Sequence, residues 1–353
     1  MSEQGGFWSR LVVREDKLRP VTAGADSRLG RPRIVGWGDL VGREGGGIVV
    51  LVVLFGALAL ASEAFLTVGN MGNLSRQFTV YGIIAIGELL VILTRGIDLS
   101  VGSVVGLSGA IAAELMVSGL PIPVAVLGAL GTGLAVGLIN GALVAYAKLP
   151  AFIVTLGMLG AARGLVLLIT DAKTIQPLPE GFSSIANATF LGLPNMFWIA
   201  VLLTAAIGLM LRRTVWGRYI YATGSNLESA RLSGVPVRKV QLSVFALSGL
   251  LAGVAGMLLA SRLDAGVPTA GETYELDAIA ACVIGGASLF GAKGSAIGAA
   301  IGAMITSTLN NGGNLLEVNS FYLRIAIGVL IILAISFDQF QTRVLQRSKA
   351  PPG

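Results

Sequence analysis

Residues 81–110 read YGIIAIGELLVILTRGIDLSVGSVVGLSGA, and the order of apolar and polar residues in this stretch decides the fold. The first thirteen residues are apolar or Gly except for Glu88, and the last ten mix apolar residues with Gly and Ser. Between them lies a short polar segment that contains Arg95 and Asp98. Because a bilayer core of about 30 Å takes roughly 20 apolar helical residues, this pattern predicts two consecutive membrane spans joined by a tight turn.

The composition of the whole chain has the same character. Of 353 residues, 54% are hydrophobic, 12% are charged and 49 are Gly, whereas a soluble globular protein carries about 25% charged residues. We therefore predict an all-α, polytopic transmembrane helical bundle in which Gly allows close helix packing. Since Cys282 is the single cysteine and the sequence has no His, an internal disulfide, a His/Cys metal site and a Ser-His triad are excluded. No catalytic residue and no metal site are expected.

Ten apolar segments along the chain are candidates for membrane spans. They lie near 47–66, 77–95, 101–119, 122–141, 152–170, 195–211, 241–261, 276–290, 294–310 and 321–337. The eighth is the shortest and is rich in Gly. We expect about ten spans, with a transmembrane domain at 47–340 between tails at 1–46 and 341–353.

The distribution of basic residues predicts how these spans are oriented. If the N-terminal tail is cytoplasmic, twenty of the 25 Lys and Arg residues fall in cytoplasmic tails and loops. The other five are Arg76, Arg163, Lys173, Arg262 and Arg324. Because Lys and Arg concentrate on the cytoplasmic side of membrane proteins, both termini are predicted to be cytoplasmic, and residues 1–46 are read as a poorly ordered tail. The net charge of +6 is then a sign of topology and requires no nucleic acid partner.

The polar segment at 95–100 has two interpretations. In the first, Arg95 ends the second span and Asp98 or Ser100 caps the free N–H groups at the start of the third span. In the second, the break lies at membrane depth and lines a substrate path, as broken helices often do. Glu88 and Arg163, within the second and fifth spans, either pair with each other or border a polar path.

The loop at 212–240 is the longest predicted cytoplasmic loop and contains a short helix, Asn226–Ser233. Ser225 and Glu228 have the spacing of a capping box, and Gly234 is expected to stop the helix. The helix is either a connector that rests on lipid headgroups or a rigid element that contacts a cytoplasmic partner.

Five ordered segments of the chain resemble one known family. They are GIDLSVGS, FIVTLGMLGAARGL, WGRYIYATGSNLESARLSGVPV, VIGGASLFGAKGS and LNNGGNLLEVNSFYLRIAIGVLIILA. Over about 47–340 the chain is similar to permease subunits of bacterial monosaccharide ABC importers, of the ribose and xylose type. Arg95 stands where many relatives have Gly, so the resemblance implies that Arg95 is not essential to transport.

The resemblance implies an inner-membrane subunit with several partners. These are a second permease subunit in a homodimer, ABC ATPase subunits that carry ATP and Mg²⁺, and a periplasmic or lipid-anchored sugar-binding protein, with lipid around the bundle. The short helix falls where the family has its coupling helix. The residues expected to couple to the ATPase are therefore Ser225, Asn226, Glu228, Ala230, Arg231 and Gly234.

The chain itself is expected to be no enzyme. GGASLFGAKGS departs from the phosphate-loop pattern, because Ala292 separates Gly291 from Lys293, and apolar segments flank it. It is better explained as a turn between the eighth and ninth spans.

Neutral sugars favour hydroxyl and amide groups without fixed charge along their path. Asn310 and Asn311, which otherwise form an Asn-Gly turn, and Thr155 fit this description. The candidate path residues are Asp98, Ser100, Thr155, Asn310 and Asn311.

Two other functions compete with the importer. An ion-coupled secondary transporter of a small neutral solute would need several membrane carboxylates, and Glu88 and Glu114 are the only acids deep in the predicted spans. A structural or assembly protein would not need polar segments that converge on one path.

Overall fold

A computed structural model describes residues 37–319, together with 321–323, 325, 326, 328, 329, 332 and 336. Contacts divide the chain into two compact units, Met1–Leu40 and Val41–Gly353, and the packing below is that of the second. The predicted tails at 1–46 and 341–353 lie outside the described residues except for 37–46. Those ten residues are helical, so the first helix begins before the predicted span.

The described residues are mostly helical. The helices are α1 (Trp37–Ala61), α2 (Val68–Leu93), α3 (Val101–Val117), α4 (Ile122–Ala145), α5 (Ala151–Thr170), α6 (Phe182–Asn187), α7 (Asn195–Arg213), α8 (Val215–Ser225), α9 (Leu227–Leu232), α10 (Val237–Leu263), α11 (Tyr274–Ile284) and α12 (Ala296–Leu315). Strands β1 (Thr189–Phe190) and β2 (Leu193–Pro194) pair antiparallel, with Thr189 opposite Pro194 and Phe190 opposite Leu193. The described residues between 321 and 336 are also helical.

The lengths and composition of these helices agree with a membrane protein. Five of them, α2, α4, α5, α7 and α10, are long and apolar enough to cross a bilayer, and α3 and Gly45–Ala61 of α1 are shorter apolar helices. The eighth predicted span, 276–290, differs from expectation. Its helix α11 has 11 residues, which at 1.5 Å per residue reach about 16 Å, half of a bilayer core. The mostly helical class is confirmed, while the count of ten stays a prediction.

Two ends of the bundle can be distinguished by the short helices they carry. At one end, the α9 end, α2 finishes beside α8 and the turn before α12, where the Ala292 N–H donates to the Leu93 carbonyl (3.1 Å). At the other, the α6 end, α2 begins and the Arg76 Nε donates to Asn187 Oδ1 of α6 (3.0 Å). Helices α2, α4 and α7 therefore run toward the α9 end, and α3, α5, α10 and α12 run away from it.

Helix α2 forms the centre of the bundle. Every residue from 82 to 94 is buried, and α7, α10, α11 and α12 all pack on this helix. Its C-terminal half is an almost continuous apolar sequence, so it has no polar face to present to water. Burial on all sides is the arrangement expected for a helix that is apolar all round.

Glycines bring α4 and α10 into close contact. A Cβ placed on Gly133 of α4 would lie 2.2 Å from the carbonyl oxygen of Gly249, and one placed on Gly137 would lie 2.3 Å from that of Phe245. No larger side chain fits at such a distance. The spacing of four residues puts both glycines on one face of α4, as in small-residue contacts between membrane helices.

The segment 264–273 between α10 and α11 doubles back into the bundle along α3. Gly266 lies beside Ala113, since an added Cβ would be 2.6 Å from the Cβ of Ala113, and Gly271 lies beside Gly102, whose carbonyl oxygen would be 2.1 Å away. The chain thus retraces most of α3, a distance of about 16 Å. Helix α11 therefore starts inside the bundle.

Candidate functional site

A polar cavity of about 420 Å³ opens where α11 starts. Helix α2 contributes Gln77 and Tyr81, and α11 contributes Tyr274 and Asp277. The other polar lining residues are Arg262, Glu272, Thr273, Asn310 and Asn314. Ligand cavities for small molecules typically measure about 300–1,000 Å³, so this one is large enough for a small polar solute.

Two aromatic rings form one wall of this cavity. The ring centroids of Tyr81 and Tyr274 are 4.9 Å apart, with the ring planes tilted by 56°. Beside them, the Oε1 atom of Gln77 is buried and has no hydrogen-bond partner among the described residues. Because a buried polar atom without a partner costs free energy, this oxygen is suited to accept from a water molecule or from a ligand hydroxyl.

The cavity lies deep in the bundle. Tyr81 follows Val68, the first residue of α2, by thirteen positions, which corresponds to about 20 Å along the helix axis. The short α11 and the returning segment 264–273 make room at this depth, where a full-length helix would fill the space. This is the environment in which irregular backbone is tolerated in membranes, because it lines a cavity.

The charges in the cavity differ from the expectation for a neutral solute. Arg262, Glu272 and Asp277 all line the cavity, so this cavity carries fixed charge, and a path without fixed charge stays a prediction. Such charges are compatible with a neutral solute, because ionised groups form stronger hydrogen bonds than neutral ones. A guanidinium or carboxylate can hold a neutral polyol through its hydroxyl groups as well as an amide can.

Of the two neighbouring asparagines, only Asn310 is found in the cavity lining. The Asn311 side chain instead forms a buried pair of hydrogen bonds with Asn70 of α2, in which each amide donates to the other (3.0 and 2.8 Å). The amide of Asn70 also donates to the Phe65 carbonyl (2.8 Å). These bonds join α2 to α12, and the path role of Asn311 stays a prediction.

The junction between α2 and α3 is a buried polar cluster. Asp98 is 1% exposed, and its Oδ1 atom accepts from the backbone N–H (3.0 Å) and the hydroxyl (2.6 Å) of Ser100. The N–H of Asp98 in turn donates to Oε1 of Glu88 (3.1 Å). Asp98 thus makes the local turn typical of Asp, while Ser100 is the N-cap residue of α3 without a side-chain cap bond. Neither residue is among those that line the cavity.

Three further helices close this junction. Asn140 of α4 donates to the Ser100 hydroxyl (2.9 Å), and Ser248 of α10 donates to Oδ2 of Asp98 (3.4 Å). Thr155 of α5 donates to the Ile97 carbonyl (3.0 Å). Asn140 and Ser248 were not among the predicted site residues, because isolated polar residues in apolar helices carry no signal of the partner they meet.

Glu88 and Arg163 were expected either to pair with each other or to border a polar path. In the structure they do not form an ion pair. Arg163 donates to the backbone carbonyls of Pro268 (2.8 Å) and Ala270 (3.0 Å) and so holds the returning segment. Glu88 faces the junction with Asp98. Both residues therefore have structural contacts with partners that the local sequence does not indicate.

Arg95 connects the end of α2 with the end of α8. Its Nε atom donates to the Gly224 carbonyl (2.6 Å), and its guanidinium also donates to the Ser225 carbonyl. The backbone of Arg95 has a φ of +66°, in the left-handed region that favours Gly. A Cβ on Gly224 would lie 1.8 Å from the Leu93 carbonyl oxygen, so the two helix ends are in direct contact.

The short helix in the 212–240 loop exists, but its caps differ from the prediction. Ser225 is the last residue of α8, and the N-cap of α9 is Asn226, whose Oδ1 accepts from the Ser229 N–H (2.9 Å). The predicted capping box is therefore wrong, since Glu228 faces Arg231 at 3.5 Å instead. The reason is that α8 occupies the residues that were expected to be an open loop. Gly234 stops α9 with a φ of +83°, as predicted.

The exposure of α9 is uneven. Ala230 is 5% exposed and faces the rest of the chain, whereas Leu232 is 83% exposed. The remaining residues from 225 to 234 are exposed as well. An external contact of α9 would therefore use Leu232 and its neighbours and leave Ala230 inside.

The glycine-rich stretch VIGGASLFGAKGS forms the turn between α11 and α12, as predicted. Residues 285–295 contain no strand, and Gly286, Gly291 and Gly294 have positive φ values. These angles reverse the chain sharply beside the end of α2.

Comparison with known proteins identifies the family. The family model described as the branched-chain amino acid transport system / permease component matches residues 70–335. A ribose import permease protein from Haemophilus influenzae is 42% identical over 299 residues, covering 83% of this chain and 92% of its own. A ribose import permease protein from Escherichia coli is 43% identical over 298 residues, covering 82% and 92%.

A relative of lower identity carries the name of a different sugar. A xylose transport system permease protein from Haemophilus influenzae is 36% identical over 354 residues, covering 82% of this chain and 94% of its own. No solved structure matches the chain. The match over most of the chain, together with the bundle of apolar helices, shows that the chain belongs to this family of transport-system permease components.

Proposed function

We propose that this chain is the membrane-spanning permease subunit of an ABC importer that passes a monosaccharide, a pentose such as ribose or xylose, across the inner membrane. The observation that carries the proposal is the 42% identity to a ribose import permease protein over 92% of that protein's length. The family match over residues 70–335 includes the residues that line the cavity and those of α9. The presence of a deep polar cavity in an otherwise apolar bundle supports a role in solute passage.

In this proposal the work is divided among several subunits. ATP and Mg²⁺ bind to partner ATPase subunits, and the permease itself catalyses no reaction. A second copy of the permease completes the path as a homodimer. A periplasmic or lipid-anchored sugar-binding protein delivers the sugar at the α6 end.

The α9 end is the cytoplasmic end, and both termini are cytoplasmic. The support is the concentration of basic residues at that end, since Lys and Arg remain on the cytoplasmic side. The basic residues of the 212–240 loop are Arg212, Arg213, Arg218, Arg231, Arg238 and Lys239. Helix α9 couples the bundle to the ATPase through its exposed side, and Asn226 and Gly234 hold its ends.

The polar cavity receives the sugar during passage. The rings of Tyr81 and Tyr274 pack against the apolar face of the sugar, and Gln77 and Asn310 contact its hydroxyl groups, which both donate and accept. Because Asp98, Ser100 and Thr155 are engaged within the chain, we assign them to holding the α2–α3 junction.

Reconstitution tests this proposal. Proteoliposomes that contain the permease, its ATPase and its binding protein should accumulate labelled ribose or xylose only with ATP inside. Gln77→Leu should lower uptake severalfold, while Gln241→Leu, a half-buried glutamine of α10 outside the cavity lining, should leave it near the unmutated rate. Uptake by the permease alone under an imposed ion gradient would contradict the proposal and favour the secondary transporter.

A further inference from the structure

A second cavity, of about 450 Å³, lies between α7 and α12 and is unrelated to the polar one. Its walls are apolar side chains such as Leu209 and Ile297, which are 61% and 41% exposed. Phe78 of α2 also lines it and is buried. Arg212 and Arg213 line the same groove. The groove therefore combines an apolar length with a cationic end.

Small residues keep this groove open. Thr204, Ala205 and Gly208 of α7 and Ala300 of α12 line it. A Cβ added to Gly208 would meet the Cβ of Ala296 at 3.6 Å, an ordinary contact. The two helices thus touch at small side chains and leave the space beside them unfilled.

The cationic end is not balanced by acidic residues on the same helices. Arg212 and Arg213 are the last two residues of α7, and both are exposed. Neither α7 nor α12 contains Asp or Glu. Within the part of the chain that the structure describes, the ion pairs join Lys173 to Asp171 and Arg231 to Glu228, so neither arginine of the groove has such a partner.

We propose that this groove binds one anionic phospholipid, whose phosphate lies between Arg212 and Arg213 and whose acyl chain lies between α7 and α12. The apolar length of the groove suits an acyl chain, and its cationic end suits a phosphate group. Arginine binds phosphate oxygens with two parallel N–H donors, and basic sites at the cytoplasmic ends of membrane helices attract anionic headgroups. Two unbalanced cations distinguish an anionic lipid from a zwitterionic one, whose headgroup carries its own cation.

A second copy of this chain fits the groove less well. Two copies in one membrane share their orientation, so a twofold contact through this face would place the arginine pairs of both copies at the same end. Four guanidinium groups would then repel one another. An acyl chain, by contrast, adapts to an irregular groove. The inference rests on the proposed cytoplasmic position of the α9 end and does not depend on the identity of the transported solute.

Lipid titration followed by native mass spectrometry tests the site. The complete permease, purified in detergent, is titrated with phosphatidylglycerol and, separately, with phosphatidylcholine. We expect one tight phosphatidylglycerol site and weaker phosphatidylcholine binding. Since each basic residue contributes about 1 kcal/mol to anionic lipid attraction, Arg212→Gln with Arg213→Gln should weaken the first phosphatidylglycerol by about 30-fold.

Two comparisons make the result specific to the groove. Arg238→Gln with Lys239→Gln removes the same charge from the exposed start of α10, outside the groove lining, and should leave the tight site intact. Ala205→Leu, at an exposed position of α7, fills the groove without touching a charge and should weaken both lipids alike. Free glycerol phosphate should not compete, because it lacks an acyl chain.

The proposal is overturned by any of three results. These are equal losses in the two charge-removal variants, unchanged lipid binding in Ala205→Leu, and equal affinity of the unmutated protein for both lipids. Size-exclusion profiles and melting temperatures of every variant show whether the fold is retained. If the arginine variant fails to fold, the Ala205→Leu comparison still decides between a groove site and general headgroup attraction.

Discussion

Asn310 and Asn311 are adjacent and chemically identical, yet their surroundings assign them different roles. Asn310 borders the polar cavity, and Asn311 is 5% exposed and paired with Asn70. The rotation of about 100° between consecutive helical residues separates them. A shift of one position near a helix end thus decides whether a polar side chain lines the cavity or forms a packing contact between helices.

Replacing each asparagine alone should separate these roles. Asn311→Leu should lower the free energy of unfolding by about 1–3 kcal/mol, because it leaves the Oδ1 atom of the buried Asn70 without its donor. Asn310→Leu should lower sugar uptake and leave the melting temperature unchanged. Thermal denaturation in detergent and uptake in proteoliposomes measure the two effects. If Asn311→Leu melts normally but loses uptake, its assignment to packing is wrong.

Arg95 offers a test of backbone strain at the residue scale. Arg95→Ala removes the bonds to Gly224 and Ser225 but keeps a side chain in the left-handed conformation, whereas Arg95→Gly removes the bonds and suits that conformation. We therefore expect Arg95→Ala to be the less stable variant by about 1 kcal/mol. Melting temperatures of the two variants check this order. The reverse order would show that the positive φ carries no strain.

Helix α9 shows how much an element depends on its ends. With six residues it is far shorter than helices that are stable alone in water. Asn226→Ala should therefore destabilise α9 by about 0.5–2 kcal/mol, because it removes the N-cap bond. Ser225→Ala is the matched control and should have little effect, since only the backbone carbonyl of Ser225 is used. Hydrogen exchange of the Ser229 amide reports the cap directly, and equal exchange in both variants would restore the predicted capping box.

The two sides of α9 should respond differently to a charge. Leu232→Glu changes an exposed side chain, so insertion and melting should stay normal while association with the ATPase weakens. Ala230→Glu places a carboxylate at a buried position and should destabilise the loop itself. Copurification of the ATPase and melting temperatures distinguish these outcomes. Normal ATPase association and coupling in Leu232→Glu would make α9 a connector that rests on the membrane.

At the scale of the whole molecule, the bundle depends on close backbone contact between α4 and α10. Gly137→Leu should prevent this contact and reduce the amount of folded protein, because the α10 backbone occupies the space. Gly131→Leu is a matched control on the same helix, since a Cβ there meets nothing within 4 Å. Fluorescence-detected size-exclusion chromatography compares the two. If both variants elute as the unmutated protein does, the glycine contact is not required for folding.

The sequence by itself determined the class of this protein, the approximate positions of its apolar helices and a short helix in the 212–240 loop. These follow from local composition, because burying apolar residues in a bilayer and retaining Lys and Arg on one side depend on short stretches of chain. The family resemblance added the transport role. The Gly234 stop was predictable for the same reason, since it requires only a positive φ at one residue.

Only the tertiary structure decided which polar residues meet. Asn70 and Asn311 are separated by 241 positions, and Arg95 and Ser225 by 130, so no local pattern links them. The return of 264–273 along α3 likewise determines where the cavity lies, although a short, Gly-rich eighth segment was its only sign in the sequence. Polar groups in an apolar bundle must find partners wherever the fold brings them, and their roles therefore follow from packing between distant parts of the chain.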